Sequence, residues 1–86
     1  MSFLEKIMFI NKTCDGLNNL CGQNVRKFRL ELKLSQRELA DTLQRIGLDV
    51  DKNAIQRIEA GKRFVTDIEL LCLSKALEAT LDELVK

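Results

Sequence analysis

The sequence predicts an all-α fold, and three observations support that prediction. The 86 residues include no proline and only four glycines, so little of the chain suits the tight turns of a β-sheet protein. Leu, Glu, Lys, Arg and Ala are abundant, and all five favour helices. Helix-start motifs also recur along the chain. A chain of this length is expected to form one small domain, residues 22–86, preceded by an N-terminal extension, residues 1–21.

The N-terminal extension begins with an apolar run, MSFLEKIMFI. Phe3, Ile7 and Ile10 fall at helical spacing, which indicates a short amphipathic helix. Glu5 and Lys6 interrupt the run, so no secretory signal is expected, and no segment has the roughly 20 apolar residues that span a bilayer. We therefore expect a cytoplasmic protein with no membrane partner. The short helix could pack on the main domain or form a dimer contact, and the sequence does not choose between these roles.

The first helix of the main domain is predicted over residues 23–33. Val25, Phe28 and Leu32 lie on one side of it at helical spacing, and we expect that side to face the core. An isolated helix of this length is marginal in water, so its apolar side must pack against other helices.

Three capping boxes mark the starts of three later helices. In the first, the Ser35 hydroxyl can accept a hydrogen bond from the backbone N–H of Glu38, and the Glu38 carboxylate can accept one from the backbone N–H of Ser35. The same pattern recurs at Thr66 with Glu69 and at Thr80 with Glu83. The boxes predict helices over residues 36–46, 67–78 and 81–86.

The remaining helix is predicted over residues 52–60, with Asp51 as its N-cap and Gly61 as its stop. Gly47 ends the helix before it, because glycine adopts the left-handed conformation without a steric penalty. Each of these helices has an apolar side that is expected to build the core. The core residues predicted from them are Leu39, Ala40, Leu43, Ile46, Ile55, Ile58, Ile68, Leu71, Ala76, Leu77, Leu81, Leu84 and Val85.

The chain lacks the residues that most enzymes and metal sites use. It has no histidine, which excludes a Cys/His zinc site and a histidine general base. Its three cysteines, Cys14, Cys21 and Cys72, match no ligand spacing and are interpreted as reduced, small apolar residues. No glycine-rich phosphate loop occurs. We therefore expect no enzymatic activity, no cofactor and no metal.

Positive charge is concentrated in the middle of the chain, although the net charge is only +1. Residues 23–63 carry ten basic and six acidic side chains, whereas residues 64–86 carry two basic and five acidic ones. This division indicates where a polyanion could bind. Small domains often show uneven charge, so the division alone is a weak argument.

The helix predicted over residues 52–60 has two contrasting sides. At about 100° per residue, Ala54, Ile55 and Ile58 cluster on one side. The opposite side holds four long polar residues, Lys52, Asn53, Gln56 and Arg57. Asn and Gln can each form two hydrogen bonds to adenine, and Arg can form two to guanine, so this side is suited to reading base edges. An ordinary solvated helix face has the same residue types, and both interpretations are open at this point.

Taken together, residues 24–86 resemble the Cro-type (XRE) helix-turn-helix family, the lambda-repressor-like DNA-binding domains. The segments that carry the resemblance are 25–29, 34–40, 55–63, 70–77 and 80–84. The resemblance implies a compact five-helix domain whose third helix enters the DNA major groove, usually within a homodimer on a palindromic operator. It therefore favours the base-reading interpretation of the third helix.

The resemblance assigns roles to individual residues. The base-facing positions are Lys52, Asn53, Gln56 and Arg57. Gln36 matches a phosphate-contacting position of the family. Arg37, Lys62 and Arg63 are also predicted to contact phosphates, the last two because they directly follow the third helix. Arg29 and Glu59 match a pair that forms a salt bridge between the first and third helices in some members. The alternative for this pair is two separate surface charges.

The connection between the second and third helices is longer than is usual in the family, although a subset of members shares the longer form. It brings Asp49 and Asp51 near the DNA-facing end of the third helix, where phosphates would repel them. We expect Leu48 and Val50 to face inward and the two aspartates to face outward.

The sequence therefore predicts a repressor-like transcriptional regulator that recognises operator sequences in double-stranded DNA as a homodimer. The alternative is a protein-interaction or antitoxin-like module of the same fold, in which DNA contact is secondary. The modest net charge, the acidic last third of the chain and the N-terminal extension favour this alternative.

Overall fold

Five α-helices form the fold in the part of the chain that the computed structural model describes, residues 12–86. They are α1 (Gly22–Glu31), α2 (Gln36–Ile46), α3 (Lys52–Glu59), α4 (Asp67–Leu77) and α5 (Leu81–Val85). No strand occurs among residues 12–86, and the all-α prediction is confirmed. The helix predicted around Phe3, Ile7 and Ile10 lies outside the described residues.

The four helix starts predicted from local motifs are all present. At Ser35, Thr66 and Thr80 the capping box is complete in both directions. The Asp51 carboxylate caps α3 by accepting a hydrogen bond of 2.8 Å from the backbone N–H of Ala54. These caps satisfy donors that the first turn of a helix otherwise leaves without intrahelical partners.

The stops predicted at the two glycines are present, although α3 ends at Glu59 and not at position 60, and α5 ends at Val85 and not at position 86. Gly47 (φ +107°) and Gly61 (φ +75°) adopt the left-handed conformation after α2 and α3. α1 ends two residues before the predicted position 33, because Lys33 itself is left-handed (φ +59°). α4 likewise ends before position 78, where Glu78 has φ +54°. A left-handed residue stops the helical hydrogen-bond pattern whether or not it is a glycine.

The core lies between the five helices and consists mainly of aliphatic side chains. Its largest fully buried members are Val25, Leu39, Leu43, Ile55, Ile58, Leu73, Leu77 and Leu84. The core prediction is wrong for six exposed residues, Leu32, Ile46, Ile68, Leu71, Leu81 and Val85. Because α4 carries apolar residues on several sides, spacing alone did not show that Leu73 faces the core in place of Leu71.

Residues 12–20 form a segment, here called the strap, that packs on the turn after α3. The backbone N–H of Asn18 donates to the Gly61 carbonyl at 2.8 Å. Leu17 lies so close to Gly61 that a Cβ at that glycine would stand 2.8 Å from Leu17 Cδ2. Cys21, directly after the strap, is buried in the core. The described part of the extension is therefore packed against the helical domain.

No helix within residues 12–86 is long and apolar enough to cross a membrane. That part of the chain also contains no group of three Cys, Asp or Glu side chains placed to hold a metal ion. The three cysteines form no disulfide, and burial raises the pKa of the Cys21 thiol.

Candidate nucleic-acid interface

The apolar side of α3 packs on the core, so its polar side faces solvent. Ile55 and Ile58 are buried, and Ala54 packs against the edge of the core. All four residues predicted to face bases are exposed: Lys52, Asn53, Gln56 and Arg57. Burial of one side thus presents the other side as a row of hydrogen-bonding groups.

Two shallow grooves connect this row to residues predicted to contact phosphates. One runs along the exposed side of α3 and is lined by Asn53, Gln56, Arg57, Ala60 and Lys62. The other lies between α2 and α3, where Arg37 and Lys52 are among its lining residues together with Asn53. Asn53 borders both grooves, so the two grooves form one continuous surface. This surface holds six of the eight residues predicted to contact DNA: Arg37, Lys52, Asn53, Gln56, Arg57 and Lys62.

The Arg29–Glu59 pair joins α1 to α3. Arg29 Nε lies 2.6 Å from Glu59 Oε2, and Arg29 Nη2 lies 3.0 Å from Glu59 Oε1. Arg29 Nη1 also donates to the Leu34 carbonyl at 2.8 Å, and Gln36 Nε2 donates to Glu59 Oε1 at 3.1 Å. Only 9% of the Arg29 side chain and 4% of the Glu59 side chain are exposed. This buried network fixes the start of α2 and the end of α3 relative to α1.

Two of the predicted phosphate-contacting residues have partners within the protein. Gln36 uses one N–H of its amide for Glu59, which leaves a second N–H for another acceptor. Arg63 donates from Nη1 and Nη2 to the Glu69 carboxylate at 3.0 and 2.9 Å. The Arg63 guanidinium holds the pKa of Glu69 below its usual range. From the sequence, Glu69 was predicted only as a member of its capping box, because no spacing rule links a turn residue such as Arg63 to the following helix.

The long connection between α2 and α3 is ordered by one side chain of α2. Gln44 Nε2 donates to the Val50 carbonyl at 2.8 Å. Val50 is buried and Leu48 is half-buried, whereas Asp49 and Asp51 are exposed. The predicted orientation of these four residues is confirmed. The Asp51 carboxylate is engaged with the first turn of α3, where the positive end of the helix dipole partly offsets its charge.

The strap holds the turn after α3 through residues that sequence analysis did not single out. Asn19 Nδ2 donates to the carbonyl oxygens of Ile58 at 3.1 Å and Arg63 at 2.7 Å. Asn18 Nδ2 donates to the carbonyl oxygen of Lys62 at 2.9 Å. The partners lie 39 to 44 residues apart in the chain, so no local sequence signal reveals these contacts.

Comparison with known proteins shows which family has this arrangement of helices. A profile described as helix-turn-helix matches residues 25–84, which is well over half of the chain. The chain belongs to this helix-turn-helix family. It is similar to the restriction-modification controller protein C.AhdI from Aeromonas hydrophila, known from a high-resolution crystal structure. The similarity has a TM-score of 0.64 and 32% identity, over 73% of this chain and 84% of that chain. A search of curated proteins gives no match.

Membership of the helix-turn-helix family confirms the predicted resemblance to XRE-type regulators. In this domain, α2, the long connection and α3 form the helix-turn-helix unit. The family consists of regulatory DNA-binding proteins rather than enzymes, and the chain is a DNA-binding transcriptional regulator. The strap precedes the matched residues and is therefore outside the family profile.

Proposed function

We propose that this helix-turn-helix protein recognises specific operator sequences by placing α3 in the major groove of double-stranded DNA, and that it acts as a repressor-like regulator in the cytoplasm. The observation that carries the proposal is the exposed polar side of α3, opposite buried Ile55 and Ile58. On that side Asn53, Gln56 and Arg57 line one groove. Their amide and guanidinium groups match the donor and acceptor pattern of base edges.

Four residues would anchor the protein on the DNA backbone: Gln36, Arg37, Lys62 and Arg63. Arg37 and Lys62 are exposed and border the two grooves beside α3. Gln36 and Arg37 belong to the first turn of α2, where backbone N–H groups and the helix dipole favour an anion. Arg63 already donates to the Glu69 carboxylate from both terminal nitrogens, so we assign it a smaller share of the affinity than Lys62.

We also propose that the regulator binds as a homodimer, because one α3 reads too few base pairs to distinguish an operator from random sites. Three large apolar side chains near the start of α4 support a contact between copies: Phe64, Ile68 and Leu71, at 55%, 68% and 45% exposure. Selection of bound duplexes from a random pool should then yield inverted repeats with half-sites about one helical turn apart, or a multiple of that distance. Recovery of single, unrepeated sites would contradict the dimer.

The role of α3 can be tested by separating base contacts from phosphate contacts. Arg57→Ala should cost about 1–3 kcal/mol on the selected operator and relax base preference at one position. Lys62→Ala should weaken binding to all duplexes alike and reduce the slope of log affinity against log salt by about one unit. Fluorescence anisotropy across a salt series measures both quantities. Two variants that behave like the wild type on every duplex would contradict the assignment.

The alternative, an interaction module in which DNA contact is secondary, is favoured by the two exposed aspartates at the start of α3, Asp49 and Asp51. Chromatography on immobilised random duplex DNA distinguishes the two functions. A DNA-binding regulator is retained at low salt and released as salt rises. The interaction module passes through at every salt concentration.

A further inference from the structure

The strap brings a basic residue beside the turn after α3. Lys12 Nζ donates to Asn18 Oδ1 at 2.9 Å, and Nδ2 of the same amide donates to the Lys62 carbonyl at 2.9 Å. A single side-chain amide therefore separates the Lys12 ammonium from the backbone of Lys62. Both lysines are exposed. Lys62 lines the groove along α3, so Lys12 stands at the end of the surface proposed to contact DNA.

The position of Lys12 is determined by the closed shape of the strap. The Thr13 N–H donates to the Leu17 carbonyl at 2.8 Å, and the Leu17 N–H donates to Thr13 Oγ1 at 2.9 Å. This closed loop brings its flanking residues, Lys12 and Asn18, side by side. Asn18 is fixed in turn by the hydrogen bond from its backbone N–H to Gly61. A preformed loop of this kind loses little conformational entropy when it binds a ligand.

The charges around Lys12 suit an anionic ligand. The two ion pairs within residues 12–86 involve other residues, so neither Lys12 nor Lys62 contacts a described carboxylate. Lys12 uses one of its three N–H donors for Asn18, which leaves two for an acceptor. Asp15, the acidic residue of the strap, takes part in neither of these ion pairs.

We propose that the strap extends the DNA-binding surface: Lys12 contacts a backbone phosphate next to the one that Lys62 contacts, and Asn18 is the positioning residue for both. This inference rests on the proposed function and deepens it. The strap lies outside the family match at residues 25–84, so this contact is additional to the surface of the shared domain. Phosphate contacts carry no sequence information, so Lys12 raises affinity for every duplex and leaves base preference unchanged.

The test is a salt titration of Lys12→Ala, Lys12→Arg and the control Lys75→Ala, with the full chain and a duplex of random sequence. Lys75 is also exposed, but it lies near the end of α4 and lines neither of the two grooves beside α3. Lys12→Ala should reduce the magnitude of the salt slope by about 0.9, so its affinity deficit should shrink about 3.5-fold between 50 and 200 mM salt. Lys12→Arg should retain the wild-type slope because the charge remains. Lys75→Ala should match the wild type.

The outcomes separate this inference from the proposed function. If the wild type binds DNA with a clear salt dependence and Lys12→Ala has the same salt slope, Lys12 does not contact a phosphate. The proposed function is unaffected by that result. A wild type that does not bind either random or selected duplexes overturns both. If Lys12→Ala and Lys75→Ala lower the slope equally, the effect belongs to net charge and the assignment to Lys12 is wrong. Thermal melting of each variant checks that folding is unchanged.

Discussion

Arg29 and Glu59 show how one pair of buried charges positions a recognition helix. Each oxygen of the Glu59 carboxylate accepts from Arg29, and one of them also accepts from Gln36. Within residues 12–86 no buried side-chain nitrogen or oxygen lacks a hydrogen-bond partner. A fully partnered buried pair adds little net stability over an apolar pair, but the loss of one member leaves the other charge buried alone. We therefore expect the pair to disfavour other orientations of α3 relative to α1, because they would separate the two buried charges.

Glu59→Ala should lower the free energy of unfolding by about 3–5 kcal/mol, because it leaves the Arg29 guanidinium buried without a carboxylate. The control is Glu38→Ala, which also removes a helix carboxylate but from the exposed capping box of α2, and it should cost much less. Urea denaturation followed by circular dichroism measures both. Equal small losses would mean that the Arg29–Glu59 pair contributes no more than surface charges.

At the scale of helices, α1 and α3 approach closely at Gly22, the first residue of α1. A Cβ at this position would collide with the backbone carbonyl of Ile58 in α3. The Gly22 N–H also donates to Asn19 Oδ1 at 2.8 Å, while the amide nitrogen of Asn19 donates to the same Ile58 carbonyl. The strap, α1 and α3 therefore meet at one crowded point, where only a residue without a side chain fits.

Gly22→Ala should destabilise the fold by about 1–3 kcal/mol, because the added methyl group forces α1 and α3 apart. The direction of this change in stability is informative, because replacing glycine by alanine within an exposed helix ordinarily stabilises the helix by about 1 kcal/mol. Gln23→Ala, at the next and exposed position, is the matched control and should change stability little. Thermal melting gives the comparison, and a Gly22→Ala protein as stable as the wild type would show that α1 and α3 can separate without cost.

For the molecule as a whole, the three capping boxes connect helix formation to pH. The glutamates at their third positions, Glu38, Glu69 and Glu83, all have pKa values below the usual range. The cause at Glu38 and Glu83 is chiefly the hydrogen bond from the N-cap backbone N–H, and at Glu69 it is chiefly Arg63. A group with a lowered folded-state pKa stabilises the fold above its unfolded pKa, and this stabilisation disappears as the pH falls through the folded value.

The free energy of unfolding should therefore be greatest near neutral pH and should fall as the pH drops below about 4.3, the usual pKa of glutamate. Replacing both Glu38 and Glu83 by Gln keeps a side chain that can cap the helix but removes the titrating charge. The double variant should show a shallower fall. Urea titrations from neutral to acidic pH test this, and identical pH profiles for the two proteins would assign the dependence to other groups.

Much of the fold and of the candidate interface could be predicted from the sequence. The starts of α2 to α5 follow from caps that involve residues three apart, so the local chain contains all the necessary information. The polar side of α3 could be predicted from the positions of Ile55 and Ile58. When these two residues face the core, the polar residues on the opposite side of the helix have to face solvent. The resemblance to XRE-type regulators supplied the roles of Gln36 and of the Arg29–Glu59 pair, which spacing alone does not give.

The sequence by itself thus determined the helices, the starts of α2 to α5 and the side of α3 that faces solvent, because each depends on neighbouring residues in the chain. Only the tertiary structure decided which side of α4 is buried, which partner Arg63 takes and where the strap lies. Those features depend on groups that are distant in the chain and meet only after the helices pack. Lys12 and Asn18 owe their place beside Lys62 to that packing, since 44 residues separate Asn18 from Lys62.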